Sequence, residues 1–152
     1  RKKKVDFCDP YYQAGQGLLV RTESSGTYKD LKSLEGKVVA VQIGTTGADL
    51  AKTIKGVEIK AFNTGAEAFM DLKMRGSEAV ITDRPVIGYF MVKNPKAAKG
   101  LTLQKTRLDA EYFGFAVKKG NKAVATKVND ALRSMKSDGT YQKLYQKWFG
   151  AQ

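Results

Sequence analysis

The chain has 152 residues, enough for one ordinary domain or for two small lobes. Its 27 basic and 15 acidic residues give a net charge of +12, and it contains one cysteine and no histidine. An intrachain disulfide, a Cys/His zinc site and a Ser-His or Cys-His catalytic pair are therefore excluded. No apolar run approaches the ~20 residues that a membrane-spanning helix needs.

The positive charge raises the question of a nucleic acid or an anionic membrane surface as partner. Basic residues are spread from Lys2 to Lys147, however, and only Arg1–Lys4 form a run. No aromatic RNA-binding motif accompanies them. We therefore favour a cationic, solvated surface and expect no nucleic acid partner.

The predicted elements alternate between strands and helices along most of the chain. In chain order, the patterns predict an extended segment at Val5–Tyr12, a strand at Gln16–Arg21, a short helical turn at Tyr28–Leu34, a strand at Lys37–Gln42, a helix at Gly47–Ile54, a strand at Val57–Phe62, a helix at Thr64–Arg75, a strand at Ala79–Ile81, a helix from Asp83 to Val92, and strands at Leu101–Leu103 and Phe113–Val117. Thr64 and Glu67 form a capping-box pair for one of these helices. The alternation predicts βαβ units and a mainly parallel sheet.

The C-terminal part is predicted to be helical. A first helix carries an apolar stripe made of Val124, Val128, Ala131, Leu132 and Met135. Gly139 suits the end of that helix, and Thr140 is predicted to cap the next one. In the last helix, apolar residues recur at steps of three and four, namely Tyr141, Leu144, Tyr145 and Trp148. We interpret them as docking residues rather than as a ligand-binding set.

The most informative run is Val38–Leu50, in which a buried strand, a Gly/Thr turn and a helix start follow one another. Such a junction aims backbone N–H groups and the positive end of a helix dipole at one point, where a small anion could sit. Similar junctions occur as plain connections in α/β folds. The run alone therefore leaves both interpretations open.

Four motifs together resemble one protein family. They are Arg1–Tyr12, Gly44–Gly47, Ala79–Asp83, and Asp138–Tyr141 followed by Lys147–Gly150. Their order is similar to that of the family 3 extracellular solute-binding proteins, the polar amino acid receptors of ABC importers, over essentially the whole chain. The resemblance implies an α/β fold of the type II periplasmic-binding-protein kind. One lobe, a mainly parallel sheet flanked by helices, would be complete, and a C-terminal remnant of the other lobe would accompany it.

The resemblance also implies a division of the chain. Residues 1–13 would be a segment of lobe 1 with the first hinge strand, residues 14–110 a complete lobe 2, and residues 111–152 the second hinge strand and the return to lobe 1. The hinge crossings are expected near Tyr11–Gln16 and Asp109–Phe113. The opening βα units of lobe 1 are expected to be missing, as in a truncated chain. We expect the exposed remnant of lobe 1 to favour a homodimer, including one formed by domain swapping.

The family's carboxylate-binding positions carry over to the start of the chain and to the Gly/Thr turn. Arg1 matches the arginine that holds the α-carboxylate of the ligand, a task that suits a planar guanidinium group. Thr46 matches the position whose backbone N–H meets the same carboxylate. Gly44 and Thr45 would shape that turn, and Gln42 would reach the cleft from the end of its strand.

The family's ammonium-binding position carries over to Asp83, which would pair with the α-amino group of the ligand. An Asp just ahead of Pro85 is also a natural helix N-cap, and both interpretations can hold together. Thr82 is the neighbouring cleft position, which varies in the family and would influence side-chain preference. We expect Arg84 to point to solvent rather than into the cleft.

The function that the resemblance implies is that of the substrate-binding component of an ABC importer. It would bind a polar or basic L-amino acid between two lobes, close around it and present it to the membrane permease. It would be periplasmic or extracellular, membrane-associated through the transporter, with no cofactor, no metal and no catalysis. An enzyme or a ligand-sensing module on the same fold is the alternative, although the acidic residues show no spacing typical of an acid/base pair. The choice of amino acid stays open.

Overall fold

The structure, a computed structural model, describes residues 4–150, which cluster into two compact units. Unit 2 is Gly15–Ala110, and unit 1 combines the described chain up to Ala14 with the chain from Glu111 onward. These boundaries lie beside those expected for the lobes, at 13/14 and 110/111. The assignment of the units as lobes of a receptor stays a prediction.

The helices and strands follow the predicted alternation with altered bounds. In chain order they are β1 (Val5–Phe7), β2 (Tyr12–Gln13), β3 (Gln16–Arg21), β4 (Val38–Gln42), α1 (Thr46–Ala51), β5 (Glu58–Phe62), α2 (Gly65–Lys73), β6 (Ala79–Asp83), α3 (Arg84–Lys93), α4 (Pro95–Ala98), β7 (Leu101–Leu103), β8 (Tyr112–Phe113), β9 (Ala116–Lys118), α5 (Lys122–Ser137) and α6 (Thr140–Phe149). Short 3-10 turns occur at Thr22–Ser24 and Lys32–Leu34. No helix within residues 4–150 is both long and apolar enough to cross a membrane.

Unit 2 contains a five-stranded sheet in the order β5-β4-β6-β3-β7. Strand β4 is parallel to β5 and β6, whereas β3 is antiparallel to both of its neighbours, β6 and β7. Four of the five strands therefore point the same way, and the prediction of a mainly parallel sheet is confirmed. Because β3 is reversed, its first residue, Gln16, lies opposite the last residue of β6, Asp83.

The central strands of this sheet are buried on both faces, because apolar residues occupy consecutive positions along them. Leu18 and Leu19, for example, are neighbours in β3 but belong to different core clusters. The cluster on the α1 side contains Leu18, Val20, Leu34, Val39, Val41, Ala48, Ala51, Ile54, Ala79 and Ile81. The cluster on the side of α2 and α3 contains Leu19, Ala40, Ala68, Phe69, Leu72, Val80, Ile87 and Leu101.

The ends of unit 2 are tied together by hydrogen bonds. The backbone N–H of Gln16 donates to the Asp109 carboxylate at 2.5 Å, and the N–H of Leu108 donates to the Gln16 carbonyl at 3.0 Å. Gly15 has a φ of +87°, and a side chain there would place its Cβ 2.5 Å from the Asp109 carbonyl oxygen. The segments that enter and leave unit 2 are thus in direct contact.

Several predicted elements differ from the observed ones for local reasons. The turn expected at Tyr28–Leu34 contains only a 3-10 turn, because the Asp30 carboxylate takes the N–H of Ser33 at 2.9 Å. The capping box of Thr64 and Glu67 is confirmed. The capping role of Thr140 is wrong: Gly139 is the N-cap residue of α6, with a φ of +79°.

Unit 1 holds two short antiparallel ladders and the last two helices. The expected extended segment at Val5–Tyr12 splits into β1, which pairs with β9, and β2, which pairs with β8. The strand expected at Phe113–Val117 splits in the same way. Of the apolar stripe expected on α5, only Leu132 is fully buried.

Aromatic stacking organises the interior of unit 1 around Tyr12, which is 5% exposed. Its ring lies 5.5 Å from that of Tyr145 and 5.3 Å from that of Phe149. The hydroxyl of Tyr141 donates to the Tyr11 carbonyl at 2.7 Å, and burial raises the pKa of this phenol. These α6 aromatics dock onto β2 and the residue before it, as the sequence predicts. They also line an apolar cavity of about 230 Å³.

The carboxylate of Asp6 anchors the end of the β1–β9 ladder. It accepts hydrogen bonds from the Lys119 ammonium and, at 2.7 Å, from the Gly120 N–H, and these bonds lower the pKa of Asp6 below its ordinary value of 3.8. A lowered pKa means that ionised Asp6 stabilises the fold above pH 3.8 and that this contribution is lost as the pH falls through the lowered pKa.

We expect Asp6→Asn to reduce the free energy of unfolding at about pH 7 and this deficit to shrink at about pH 2, as acid protonates the carboxylate of the wild type. Urea titrations at the two pH values measure the difference. The matched control is Asp130→Asn, which changes an exposed carboxylate that pairs with Arg133 on the same helix. A deficit of the Asp6 variant that persists unchanged in acid would contradict the prediction.

Candidate functional site

The candidate site lies within unit 2, at the carboxyl ends of β4 and β6. Gln42 ends β4 and Asp83 ends β6, and these two strands are parallel neighbours, so both residues lie at one edge of the sheet. Helix α1 begins at Thr46, just past the same edge. Ligands of open α/β sheets bind at the carboxyl ends of the strands. The sheet therefore brings the predicted residues of unit 2 to a suitable place.

The turn between β4 and α1 is shaped by Gly44 and Thr45. Gly44 has a φ of +73°, a conformation that favours glycine. Thr45 is the N-cap residue of α1: its Oγ1 accepts the Ala48 N–H at 3.1 Å and donates to the Gln42 carbonyl at 2.9 Å. The side-chain amide of Gln42 donates to the Asn63 carbonyl at 3.2 Å, which holds it over the end of β5.

The first turn of α1 presents backbone donors at this edge. The N–H of Ala48 is taken by the Thr45 side chain and that of Asp49 by the Thr45 carbonyl. Within the described part of the chain, the N–H groups of Thr46 and Gly47 have no acceptor, as expected at a helix start. Thr46 is exposed to solvent, whereas Gly47 is buried. The arrangement can donate hydrogen bonds to a small anion.

Gln16 is the site residue that the sequence analysis missed. It is fully buried at the start of β3, and its amide nitrogen donates to Thr46 Oγ1 at 2.9 Å and to Asp83 Oδ1 at 2.5 Å. One side chain thus connects the turn after β4 with the end of β6. The available signal was a glutamine that precedes the apolar run Leu18–Val20 in its strand, but the position of this glutamine at the site depends on the reversed direction of β3.

Asp83 occupies the N-cap position of α3 without capping it. Its side chain makes no hydrogen bond to the α3 backbone, and its Oδ1 instead accepts from Gln16. The capping interpretation of this carboxylate is therefore wrong. Thr82, opposite Gly17 in the ladder, is only 5% exposed.

Arg84 is buried, so the expectation that it points to solvent is wrong. Its exposed fraction is 7%, and its Nη1 donates to the carbonyls of Gln104 at 2.7 Å and Thr106 at 3.3 Å. These carbonyls hold the guanidinium group under the loop that follows β7. Arg1, the predicted carboxylate ligand, lies outside the described residues. In the chain from 4 to 150, no group of three or more His, Cys, Asp or Glu side chains is placed to hold a metal ion.

Residues 1–151 match the model of the bacterial extracellular solute-binding proteins, family 3. The chain belongs to this family. It is 35% identical over 152 residues to the L-cystine-binding protein TcyJ of Escherichia coli, a match that covers 99% of this chain and 56% of that protein. It is 37% identical over 153 residues to the ABC transporter glutamine-binding protein GlnH of Bacillus subtilis, covering 97% of this chain and 53% of that protein. The chain thus spans little more than half the length of these curated relatives.

Similar solved structures confirm the type II periplasmic-binding-protein fold. An ancestral cationic amino acid solute-binding protein superimposes with a TM-score of 0.88 at 40% identity, covering 98% of this chain and 64% of that one. An ancestral arginine-binding protein bound to arginine gives a TM-score of 0.73 at 43% identity, covering 99% and 66%. A further structure, with a TM-score of 0.75 at 40% identity over 98% of this chain and 63% of that one, is described as a precursor of cyclohexadienyl dehydratase.

Proposed function

We propose that this chain is part of the substrate-binding component of an ABC importer and binds the charged backbone groups of a polar or basic L-amino acid. The observation that carries the proposal is the amide of Gln16, which joins the donor-rich start of α1 to the carboxylate of Asp83. A zwitterion needs hydrogen-bond donors for its carboxylate and an anionic acceptor for its ammonium group. Both are present at one edge of the sheet.

The proposed roles follow from the position of each group. The N–H of Thr46 would bind the ligand carboxylate, in a turn shaped by Gly44 and Thr45, and Asp83 would bind the ammonium group. Arg1 keeps the carboxylate-binding role that the resemblance implies. The amide of Gln42 would face the ligand from the end of β4.

Two further proposals concern the class of the ligand and the residues that would select its side chain. The names of the relatives support a polar or basic amino acid as ligand, since they bind cystine, glutamine and arginine. Gln42 and Thr82 would contribute to the preference for the ligand's side chain. Thr82 would do so through the small part of its surface that is exposed.

We also propose that the protein acts outside the cytoplasm, in the periplasm or on the cell exterior, and meets the membrane through a permease. The extracellular description of the family and the ABC transporter names of relatives support this placement. Homodimer formation stays a prediction, which the exposure of Leu144 (45%) and Trp148 (39%) in unit 1 supports. A monomeric mass by light scattering at high protein concentration would contradict it.

Binding rather than catalysis is the proposed activity. The named relatives are transport proteins, and Asp83 is the one carboxylate among the predicted site residues. An enzyme is the second candidate because one similar structure is described as a dehydratase precursor. Consumption of a bound amino acid on prolonged incubation, followed by chromatography, would favour that candidate.

Isothermal titration of this chain with each of the twenty amino acids and with L-cystine tests the proposal. We expect saturable binding of one polar or basic L-amino acid, with little binding of its D-enantiomer and a weak dependence on salt. A nucleic-acid-like, charge-driven interaction would instead weaken steeply with salt. A folded chain that binds none of these compounds would contradict the proposal.

A further inference from the structure

The buried amide of Gln16 has a determined orientation. An ionised carboxylate only accepts hydrogen bonds, so the nitrogen of the amide, and not its oxygen, must face Asp83 Oδ1. The same nitrogen also lies 2.9 Å from Thr46 Oγ1. Both of its protons are therefore used, one by each partner. The amide oxygen, Gln16 Oε1, is buried and has no hydrogen-bond partner in the described part of the chain.

This orientation also decides how Thr46 can act. Because the Thr46 oxygen accepts a proton from Gln16, its own O–H proton is free to be donated elsewhere. No acceptor for that proton is found among residues 4–150, and Thr46 is exposed. Gln16 thus leaves the Thr46 hydroxyl as a donor and ties down one oxygen of Asp83. Asp83 Oδ2 has no hydrogen-bond partner among residues 4–150 and is left for another group.

The glutamine has an unfavourable side as well as a favourable one, because the two hydrogen bonds that it donates come with a buried oxygen that has no partner in the described part of the chain. A buried carbonyl oxygen without a partner is unfavourable, and an apolar side chain of similar length would avoid it. The neighbouring positions of β3 follow that rule, with Leu18, Leu19 and Val20 fully buried. Gly47 lies beside the same amide: a Cβ at this position would be only 2.7 Å from Gln16 Oε1, so the absence of a side chain at Gly47 leaves room for the glutamine.

We propose that Gln16 is a positioning residue for amino acid binding. It holds the carboxylate of Asp83 away from the start of α3 and fixes its position relative to Thr46. The acceptor for the ligand's ammonium group and the donors for its carboxylate are thereby kept at a constant distance from each other. This inference rests on the proposed function. It adds a residue that would not touch the ligand and that acts through the two residues that would.

The main test is a double-mutant cycle between Gln16 and Asp83, read by titration with L-arginine and L-glutamine. Gln16→Met keeps the length of the side chain and removes both donated protons. We expect this variant to bind about tenfold more weakly or worse in the wild-type background, and to cause little further loss in the Asp83→Ala background. The unfolding temperature of the variant should fall less than that of Gln104→Met, because removal of the orphan oxygen offsets part of the loss of the two hydrogen bonds.

Gln104→Met is the matched control. The amide of Gln104 also donates two hydrogen bonds, at 2.7 and 2.5 Å, but to the carbonyls of Ser25 and Tyr28 and not to the candidate site. We expect it to lower the unfolding temperature without changing amino acid affinity. Equal losses of affinity from Gln16→Met in both backgrounds, or no loss in the wild-type background, would overturn the inference.

Nuclear magnetic resonance of the wild-type side-chain amide supplies a test that needs neither a folded Gln16 variant nor a ligand. We expect two exchange-protected protons on Gln16 Nε2, one of which shifts in Thr46→Val and the other in Asp83→Ala. A rapidly exchanging amide, insensitive to both substitutions, would overturn the inference. If the wild-type chain binds no amino acid, the proposed function and this inference both fail. If it binds and Gln16→Met binds equally well, only the inference fails.

Discussion

In Gly47→Ala, the free energy of unfolding is expected to fall by about 1–3 kcal/mol, the usual cost of overpacking a close-packed interior. An ideal Cβ at this position would lie 2.7 Å from Gln16 Oε1 and 2.8 Å from the carbonyl oxygen of Ile81. The second of these atoms belongs to the backbone of β6, a central strand, and cannot move without disturbing the ladder. Urea titration monitored by circular dichroism measures the effect.

Gly65→Ala is the matched control, because Gly65 also stands in the first turn of a helix, α2. The nearest atom to an added Cβ there is Gln42 Oε1, at an ordinary contact distance of 3.7 Å. Alanine loses less conformational entropy than glycine in a helix, so we expect this variant to gain about 0.4–1 kcal/mol. The two substitutions should therefore have opposite signs. Equal effects would show that close packing at Gly47 is not the cause.

Asp83→Asn is expected to weaken amino acid binding by about 2–5 kcal/mol, which is about 30-fold or more. The substitution keeps the shape of the side chain and leaves an oxygen that can still accept from Gln16, so the free energy of unfolding should change little. What it removes is the negative charge proposed to face the ligand's ammonium group. Calorimetric titration with L-arginine and L-glutamine measures the loss.

The selectivity of that loss distinguishes a direct contact from a general disturbance. Analogues of the two ligands that lack the α-amino group should bind the variant and the wild type equally well, because they have no ammonium group to pair. Asp130→Asn, a change of an exposed carboxylate on α5, should leave all affinities unaltered. An Asp83 variant that binds L-arginine and L-glutamine as tightly as the wild type would contradict the assigned role.

The alternation of strands and helices was predictable because it depends on local periodicity. The capping box at Thr64 and Glu67 and the strands β4 and β6 follow from residue types that are close in sequence. The ends of short elements were less predictable. Helix α1, for instance, ends at Ala51 and not at the predicted Ile54. The side chain of Ile54 is nevertheless buried in the same core cluster as that of Ala51.

The candidate site was predictable only in part, because a strand pattern carries no direction. The junction at Gly44 and Thr45 is visible in the sequence, since it needs a positive φ and a capping hydroxyl in adjacent positions. The participation of Gln16 depends on β3 running against β6, which only the folded sheet reveals. The prediction that Arg84 points to solvent was wrong for a similar reason. The carbonyl groups that bind its guanidinium group belong to a loop 20 residues or more further along the chain.

The contact between the two ends of unit 2 makes this unit an insertion in the topological sense. The chain enters at Gly15 and leaves near Asp109, and these positions touch. A segment whose ends meet can be gained, lost or exchanged during evolution without stretching the protein that hosts it. The same closure means that, if residues 15–110 were removed, a short peptide bridge would be enough to rejoin the two flanking segments.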